Sequence, residues 1–130
     1  MIIKQLTLEN IRSHKSTKIE FAEGKTLIRG DIGSGKSGIM MSIEAALFGK
    51  KLKQLITFGE ENGRIELTFE IQDENRNIKK YSVIRKLSIN TQKGGEIIYH
   101  NEGNKKGIYS ADELSIEITR IFLLKNFFRI

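Results

Sequence analysis

Apolar and polar residues alternate along most of this chain, and each change of period marks a new element. From Met1 to Glu9, Leu6 and Leu8 point one way and Thr7 and Glu9 the other, which predicts a strand. Asn10-Ile11-Arg12-Ser13-His14 breaks the alternation as a turn, and Lys15 to Phe21 resumes it through Ile19 and Phe21. The two strands read as an antiparallel hairpin. After the turn Ala22-Glu23-Gly24-Lys25, Thr26-Leu27-Ile28-Arg29 is a short apolar run suited to a buried strand. The period then becomes helical. Ile39, Ile43, Ala46 and Leu47 share one face of a helix from Lys36 to Phe48, with Gly49 as its C′ residue.

Alternation returns at Arg64 to Ile71, where Ile65, Leu67, Phe69 and Ile71 oppose Glu66, Thr68 and Glu70. Ile78 to Ile89 is a further strand with Tyr81, Val83 and Leu87 on one face, followed by Glu96 to Tyr99 and Gly107 to Tyr109. The middle of the chain is thus a three- or four-stranded antiparallel meander. Ser110 and Glu113 have capping-box spacing, and Leu114, Ile118, Ile121 and Phe122 then recur on one face of a helix from about Ala111 to Leu124. The run from Phe122 to Ile130 is strongly apolar and calls for a continuation or a cover.

Between the short apolar run and the first helix stands Gly30-Asp31-Ile32-Gly33-Ser34-Gly35-Lys36-Ser37, which fits G-x-x-x-x-G-K-[ST] at every fixed position. A triphosphate needs several backbone N–H groups aimed inward at once, and Gly33 and Gly35 allow that geometry without a Cβ clash. Lys36 supplies a point charge for the β and γ phosphates, and the Ser37 hydroxyl is small enough to sit on Mg²⁺. The helix that starts here aims its positive end at the same anion. Strand, loop, helix is the order such a site requires.

Composition narrows the class. The 130 residues suit one domain, with no cysteine for disulfides or thiolate metal sites and two lone histidines. Lys4 and Glu9 interrupt any secretory apolar run, and no stretch is long enough to span a bilayer, so a soluble cytoplasmic protein is the expectation. The formal charge of +6 favours polyanions.

The phosphate loop alone does not choose a chemistry. Asn104-Lys105-Lys106-Gly107 lacks the Asp of a guanine reader and falls in a hairpin. Asp73-Glu74 is the one candidate carboxylate pair for a second magnesium contact, but it follows alternating residues and reads as a surface turn. Two strands before the loop and an antiparallel meander after the helix also exclude a small GTPase or simple kinase.

Taken together, Ile11-Arg12-Ser13-His14-Lys15, Ile19-Glu20-Phe21, the loop and Ile43-Glu44-Ala45-Ala46-Leu47-Phe48-Gly49 resemble the N-terminal head segment of the SMC-type ATPases. The resemblance is greatest to the DNA double-strand-break repair branch, SbcC and its archaeal and eukaryotic equivalents. It implies an α/β P-loop NTPase fold of ABC-ATPase type, N-terminal lobe only, with a mixed or antiparallel sheet, a phosphate-loop helix and a C-terminal helix. It implies a single domain over residues 1–130, ending before the Gln loop and coiled coil. The implied cofactors are ATP and Mg²⁺. Ile32, Gly33, Ser34, Gly35, Lys36, Ser37 and Gly38 would wrap the phosphates, with Ser37 on the metal. Arg12 and Ser13 would lie against the nucleotide, Ile56, Thr57 and Phe58 would line it, and His14 would pack or cap in its turn. In that family two heads sandwich ATP, drive a coiled coil, bind DNA and work with a nuclease. The implied partners are therefore a C-terminal lobe or second head, a nuclease, and double-stranded DNA bound without base readout, in the nucleoid and not at a membrane.

The chain departs from the family at Asp31-Ile32, where Pro-Asn or Gln-Asn is frequent. Ile32 donates no side-chain hydrogen bond, and Asp31 adds negative charge near phosphate, which implies altered nucleotide contacts. No catalytic residue is assigned within the chain, and Lys93-Gly94-Gly95-Glu96 is a β-turn, not a signature segment. The expectation is nucleotide binding with little or no hydrolysis; the alternative is a truncated module that dimerises or binds a partner without chemistry. Lys50, Lys51, Lys53, Lys79, Lys80, Arg85, Lys86, Lys105 and Lys106 are the candidate DNA-facing cations.

Overall fold

The computed structural model describes residues 1–21, 36–49 and 52–123, and of Lys36 and Ser37 only the backbone. Six strands form one antiparallel sheet in the order β2-β1-β3-β4-β5-β6. They are β1 (Ile2–Ile11), β2 (His14–Glu20), β3 (Asn62–Gln72), β4 (Ile78–Ser88), β5 (Gly95–Tyr99) and β6 (Lys105–Tyr109). The helices are α1 (Lys36–Phe48), the single turn α2 (Leu52–Leu55) and α3 (Ala111–Phe122). The first hairpin, the four-strand meander and both long helices are as the periodicity predicts. The predicted strand Thr26–Arg29, the loop Gly30–Gly35, Lys50, Lys51 and the run 124–130 lie outside the described residues.

Register aligns the apolar parity of each strand into rows across one face. Leu6, Leu67, Val83 and Ile97 form one row through successive pairings, and Phe69, Tyr81 and Tyr99 form another. Ile39, Ala45, Ala46 and Leu47 of α1 and Leu114, Ile118 and Ile121 of α3 join the same core. The buried stripe of α1 runs through Ser42 while Ile43 is half-buried, because the Ser42 hydroxyl bonds back to the Gly38 carbonyl and so loses no hydrogen bond on burial. An aromatic ladder ties the end of α3 to the sheet. Phe122 stacks on Phe69, Phe69 meets Tyr81 at 5.7 Å, and Tyr81 meets Tyr99 edge-on at 5.9 Å. The other face is wetter and carries ion pairs such as Lys4–Glu70 and Arg64–Glu66.

The connections follow local chemistry. Gly49 ends α1 at φ +69°, a left-handed conformation that suits glycine, with its N–H on the Ala45 carbonyl. The Ser110 hydroxyl accepts the Glu113 N–H and donates to the Glu113 carboxylate, so the predicted capping residues do start α3. Gly94 and Gly95 are where strands approach most closely. A Cβ on Gly94 would fall 1.9 Å from the Tyr109 carbonyl oxygen, and one on Gly95 1.9 Å from that of Ile84. The glycine pair is a packing requirement of the sheet, in keeping with its dismissal as a signature segment.

Arg85 corrects the list of DNA-facing cations. It pairs with Ile65 and Gly95 on the core parity of β4, between Val83 and Leu87, and is 1% exposed. Its guanidinium donates from Nε and Nη2 to the Ala46 carbonyl at 3.2 and 3.0 Å, near the negative end of α1. Burial lowers its pKa to about 10. No carboxylate pairs with it among the described residues. Removing the side chain leaves a cavity and a bare carbonyl, so Arg85→Ala is expected to cost about 2–4 kcal/mol. Arg85→Met keeps the volume and relieves the buried charge, and its cost should stay under about 1.5 kcal/mol. Urea denaturation of both variants checks this order, and a larger cost for Met than for Ala contradicts it.

Candidate nucleotide site

The site is built around the turn between β1 and β2. Asn10 and Arg12 both adopt left-handed backbone, at φ 53° and 48°, which costs on the order of 1 kcal/mol or more for a residue with a Cβ. Hydrogen bonds from a distant segment hold it there. The Arg12 N–H donates to the Leu55 carbonyl at 2.7 Å, and the Thr57 hydroxyl donates to the Arg12 carbonyl at 2.8 Å. The Thr57 N–H donates to the Asn10 carbonyl at 2.9 Å, and Ile11 bridges Ile56. The Asn10 amide reaches the Asn62 carbonyl at 3.2 Å. Both peptide groups of the turn are therefore fixed by residues about forty-five positions away in sequence.

This turn lies against the start of α1. A Cβ at position 38 would sit 3.5 Å from Arg12 Cδ and 3.8 Å from His14 Cδ2. The Arg12 guanidinium extends to 3.5 Å from Met41 Sδ, one turn further along the helix. His14 Nδ1 and the Thr17 hydroxyl are 3.0 Å apart, which places His14 in the turn-packing role read from the sequence. The first amides of α1, from Lys36 onward, lack intrahelical acceptors and form the positive end of a helix of 13 residues. An anion at that end would find Arg12 beside it.

Three separately predicted pieces therefore meet: Arg12 and Ser13 in the turn, Gly38 in the first turn of α1, and the Ile56-Thr57-Phe58 stretch. Their roles differ. Ile56 is buried in the core, so its side chain does not face a ligand, whereas Phe58 is fully exposed and Thr57 is spent on Arg12. Ile32, Gly33, Ser34 and Gly35, and the side chains of Lys36 and Ser37, lie outside the described residues. Met41 and the Leu55 carbonyl were not foreseen. Met41 had a signal, since it falls one helical turn beyond Ser37.

Asp73, the weaker magnesium candidate, is committed elsewhere. Its Oδ1 accepts the N–H groups of Asn75 at 2.9 Å and Asn77 at 2.8 Å. Its pKa is lowered, first by the Asn77 N–H, and the residue caps the β3–β4 turn. Gln72 and Asn62 are opposite ends of β3, about 30 Å apart, and Asn62 is the end beside Asn10. No cluster of three or more His, Asp or Glu that could hold a metal occurs among the described residues.

Comparison with known proteins gives the chain a family. The AAA domain family matches residues 5–128. The chain is 35% identical over 131 residues to the DNA double-strand break repair Rad50 ATPase of Methanococcus maripaludis, covering 97% of this chain and 12% of that protein. It is 34% identical over 105 residues to the protein of the same name from Methanocaldococcus jannaschii, covering 78% of this chain and 10% of the relative. The chain thus spans about a tenth of the length of these curated relatives. Among solved structures, one from work on ATP-driven dimerization and DNA stimulated activation of SMC ATPases superposes with a TM-score of 0.62 at 19% identity, covering all of this chain and 85% of that one. The recombination mediator RecF bound to ATP superposes at 0.60 with 23% identity, covering 89% of this chain and 30% of the other. These two structures establish the fold, an α/β P-loop ATPase with an antiparallel sheet. With the match across residues 5–128, the chain belongs to the AAA domain family and, within it, to the SMC-type, Rad50-like ATPases.

Proposed function

We propose that this chain is the ATP-binding N-terminal lobe of an SMC-like ATPase of DNA double-strand-break repair, one domain over residues 1–130. The observation that carries this reading is the convergence of the Arg12 turn, the Thr57 segment and Gly38 at the positive end of α1. Ile32 to Gly38 wrap the triphosphate, Lys36 neutralises the β and γ phosphates, and the Ser37 hydroxyl meets Mg²⁺. Arg12 adds charge-assisted hydrogen bonds from the side, with Ser13 next to it. Phe58 and the Thr57 backbone border the nucleotide. Asp31 and Ile32 alter the phosphate contacts without removing the loop.

His14 at this corner is taken up with the Thr17 hydroxyl and is assigned no role as a base, so in this reading hydrolysis calls for a further lobe. That lobe, or a second head, is the partner proposed here, together with a nuclease and double-stranded DNA, in the cytoplasm at the nucleoid. For this last part, no helix among the described residues is long and apolar enough to cross a membrane. Family resemblance supports the DNA reading, and the surface adds a basis for it. Lys53, Lys80 and Lys105 are exposed, whereas Lys86 and Lys106 share Glu96 and Arg85 is withdrawn into the core.

Isothermal titration with Mg-ATP is expected to show binding that Lys36→Ala weakens at least about tenfold and Arg12→Ala several-fold, while phosphate release stays near background. Turnover at the rate of a complete ATPase, abolished by Lys36→Ala, would contradict the assignment of a lone lobe. Duplex DNA binding should weaken steeply between about 50 and 200 mM salt, and a Lys53→Gln, Lys105→Gln double variant should flatten that slope by about two. Binding unaffected by salt would remove DNA from the proposal.

A further inference from the structure

We propose that the outer edge of β6 is an interface between two copies of this chain, in which the two β6 strands pair antiparallel and the sheet runs on from one copy into the other. This edge is at the opposite end of the strand order from the β1–β2 hairpin, and the inference does not rest on the nucleotide reading.

Hydrogen-bond alternation fixes which backbone groups of β6 point outward. The Lys86 N–H donates to the Gly94 carbonyl, and the pairs Ile84–Glu96 and Ser82–Ile98 follow at the two-residue spacing of hydrogen-bonded antiparallel pairs. Gly94, Glu96 and Ile98 therefore turn their peptide groups toward β4, and Gly95, Ile97 and Tyr99 turn theirs toward β6. Their partners there are Tyr109, Gly107 and Lys105. The N–H and C=O groups of Lys106 and Ile108 are left facing away from β5, where no strand among the described residues pairs with them. A row of such groups is a template for a further strand.

The two edges of the sheet differ. The Phe21 N–H donates to the Lys4 carbonyl, so by the same alternation the outward groups of β2 belong to Ser16, Lys18 and Glu20. Lys18 and Glu20 place exposed charges along that edge, a common guard against pairing. On β6 the Lys106 ammonium is tied to Glu96 at 3.5 Å, and Ile108 is 78% exposed. This edge thus presents a compensated cation and a bare apolar side chain.

The strand is also complementary to itself. A two-fold axis at Gly107 sets Lys106 opposite Ile108 of the second copy, and the two exchange N–H and C=O groups. The Lys106 stem then covers the exposed Ile108. Gly107 meets its own copy at the axis with no side chain to clash, and the Tyr109 hydroxyl already occupies the place where a Cβ would stand. Charge favours the antiparallel sense. Lys105 and Lys106 open β6, while Asp112 and Glu113 follow its end in the first turn of α3. Antiparallel pairing brings the cationic start of each strand toward the acidic end of the other, whereas parallel pairing sets lysine against lysine.

Sedimentation equilibrium of the 130-residue chain, without nucleotide so that no ATP-dependent association contributes, is expected to show a concentration-dependent dimer. Ile108→Pro removes an outward N–H and leaves the bonds to β5 in place, and Ile108→Lys adds an unpaired cation to the edge. Each should weaken dimerisation about tenfold or more. Where the proline variant fails to fold, the lysine variant decides. Amide exchange followed by NMR gives the residue-level result: Lys106 and Ile108 should exchange more slowly as concentration rises, while Gly107, bonded inward to β5, should not change. A monomer at millimolar concentration, a dimer that Ile108→Lys leaves intact, or exchange at Lys106 and Ile108 that ignores concentration overturns the proposal.

Discussion

The clasp between the Arg12 peptide and the segment Leu55 to Thr57 is the interaction on which the proposed nucleotide corner depends. A left-handed arginine is strained by itself, and two hydrogen bonds with the Leu55 to Thr57 segment hold it in that conformation. Once the turn is fixed, the Arg12 and His14 side chains meet Gly38 at the start of α1, and the helix cannot slide along the sheet without breaking the contact. At its other end α1 is held by Arg85, whose guanidinium binds the Ala46 carbonyl from inside the core. Helix α1 is thus held at both ends by arginines, one exposed and one fully buried.

This arrangement gives the buried cation a physical sense. An arginine without a carboxylate is a poor core residue by desolvation alone. Placed under the C-terminal end of a helix, it meets carbonyls that already carry partial negative charge. Ser115 of α3 lies within 3.5 Å of the same guanidinium, so one side chain reaches both long helices.

Most of the sheet was legible in the sequence because period-two alternation survives wherever one face is wet, as in β3. Arg85 was not, since pattern reading assigns a charged residue to solvent even at core parity. Ser42 was missed for the same reason: a hydroxyl that bonds its own helix is apolar in effect. At the site, the Arg12 turn was readable, whereas the motif from Gly30 to Ser37 lies outside the described residues save for the backbone of Lys36 and Ser37. The bonds from Thr57 and Leu55 were not readable, because they join segments about forty-five residues apart and leave no local spacing to detect.

The central claim is that the Arg12 turn, the Thr57 segment and the first turn of α1 act as one nucleotide-binding corner. Hydrogen–deuterium exchange with and without Mg-ATP tests it most directly. The account predicts slowed exchange at Arg12 to His14, at Lys36 to Ile39 and at Leu55 to Thr57 together, with Lys36→Ala removing all three effects. Protection of α1 alone, or no protection at Arg12 with saturating Mg-ATP, would contradict it.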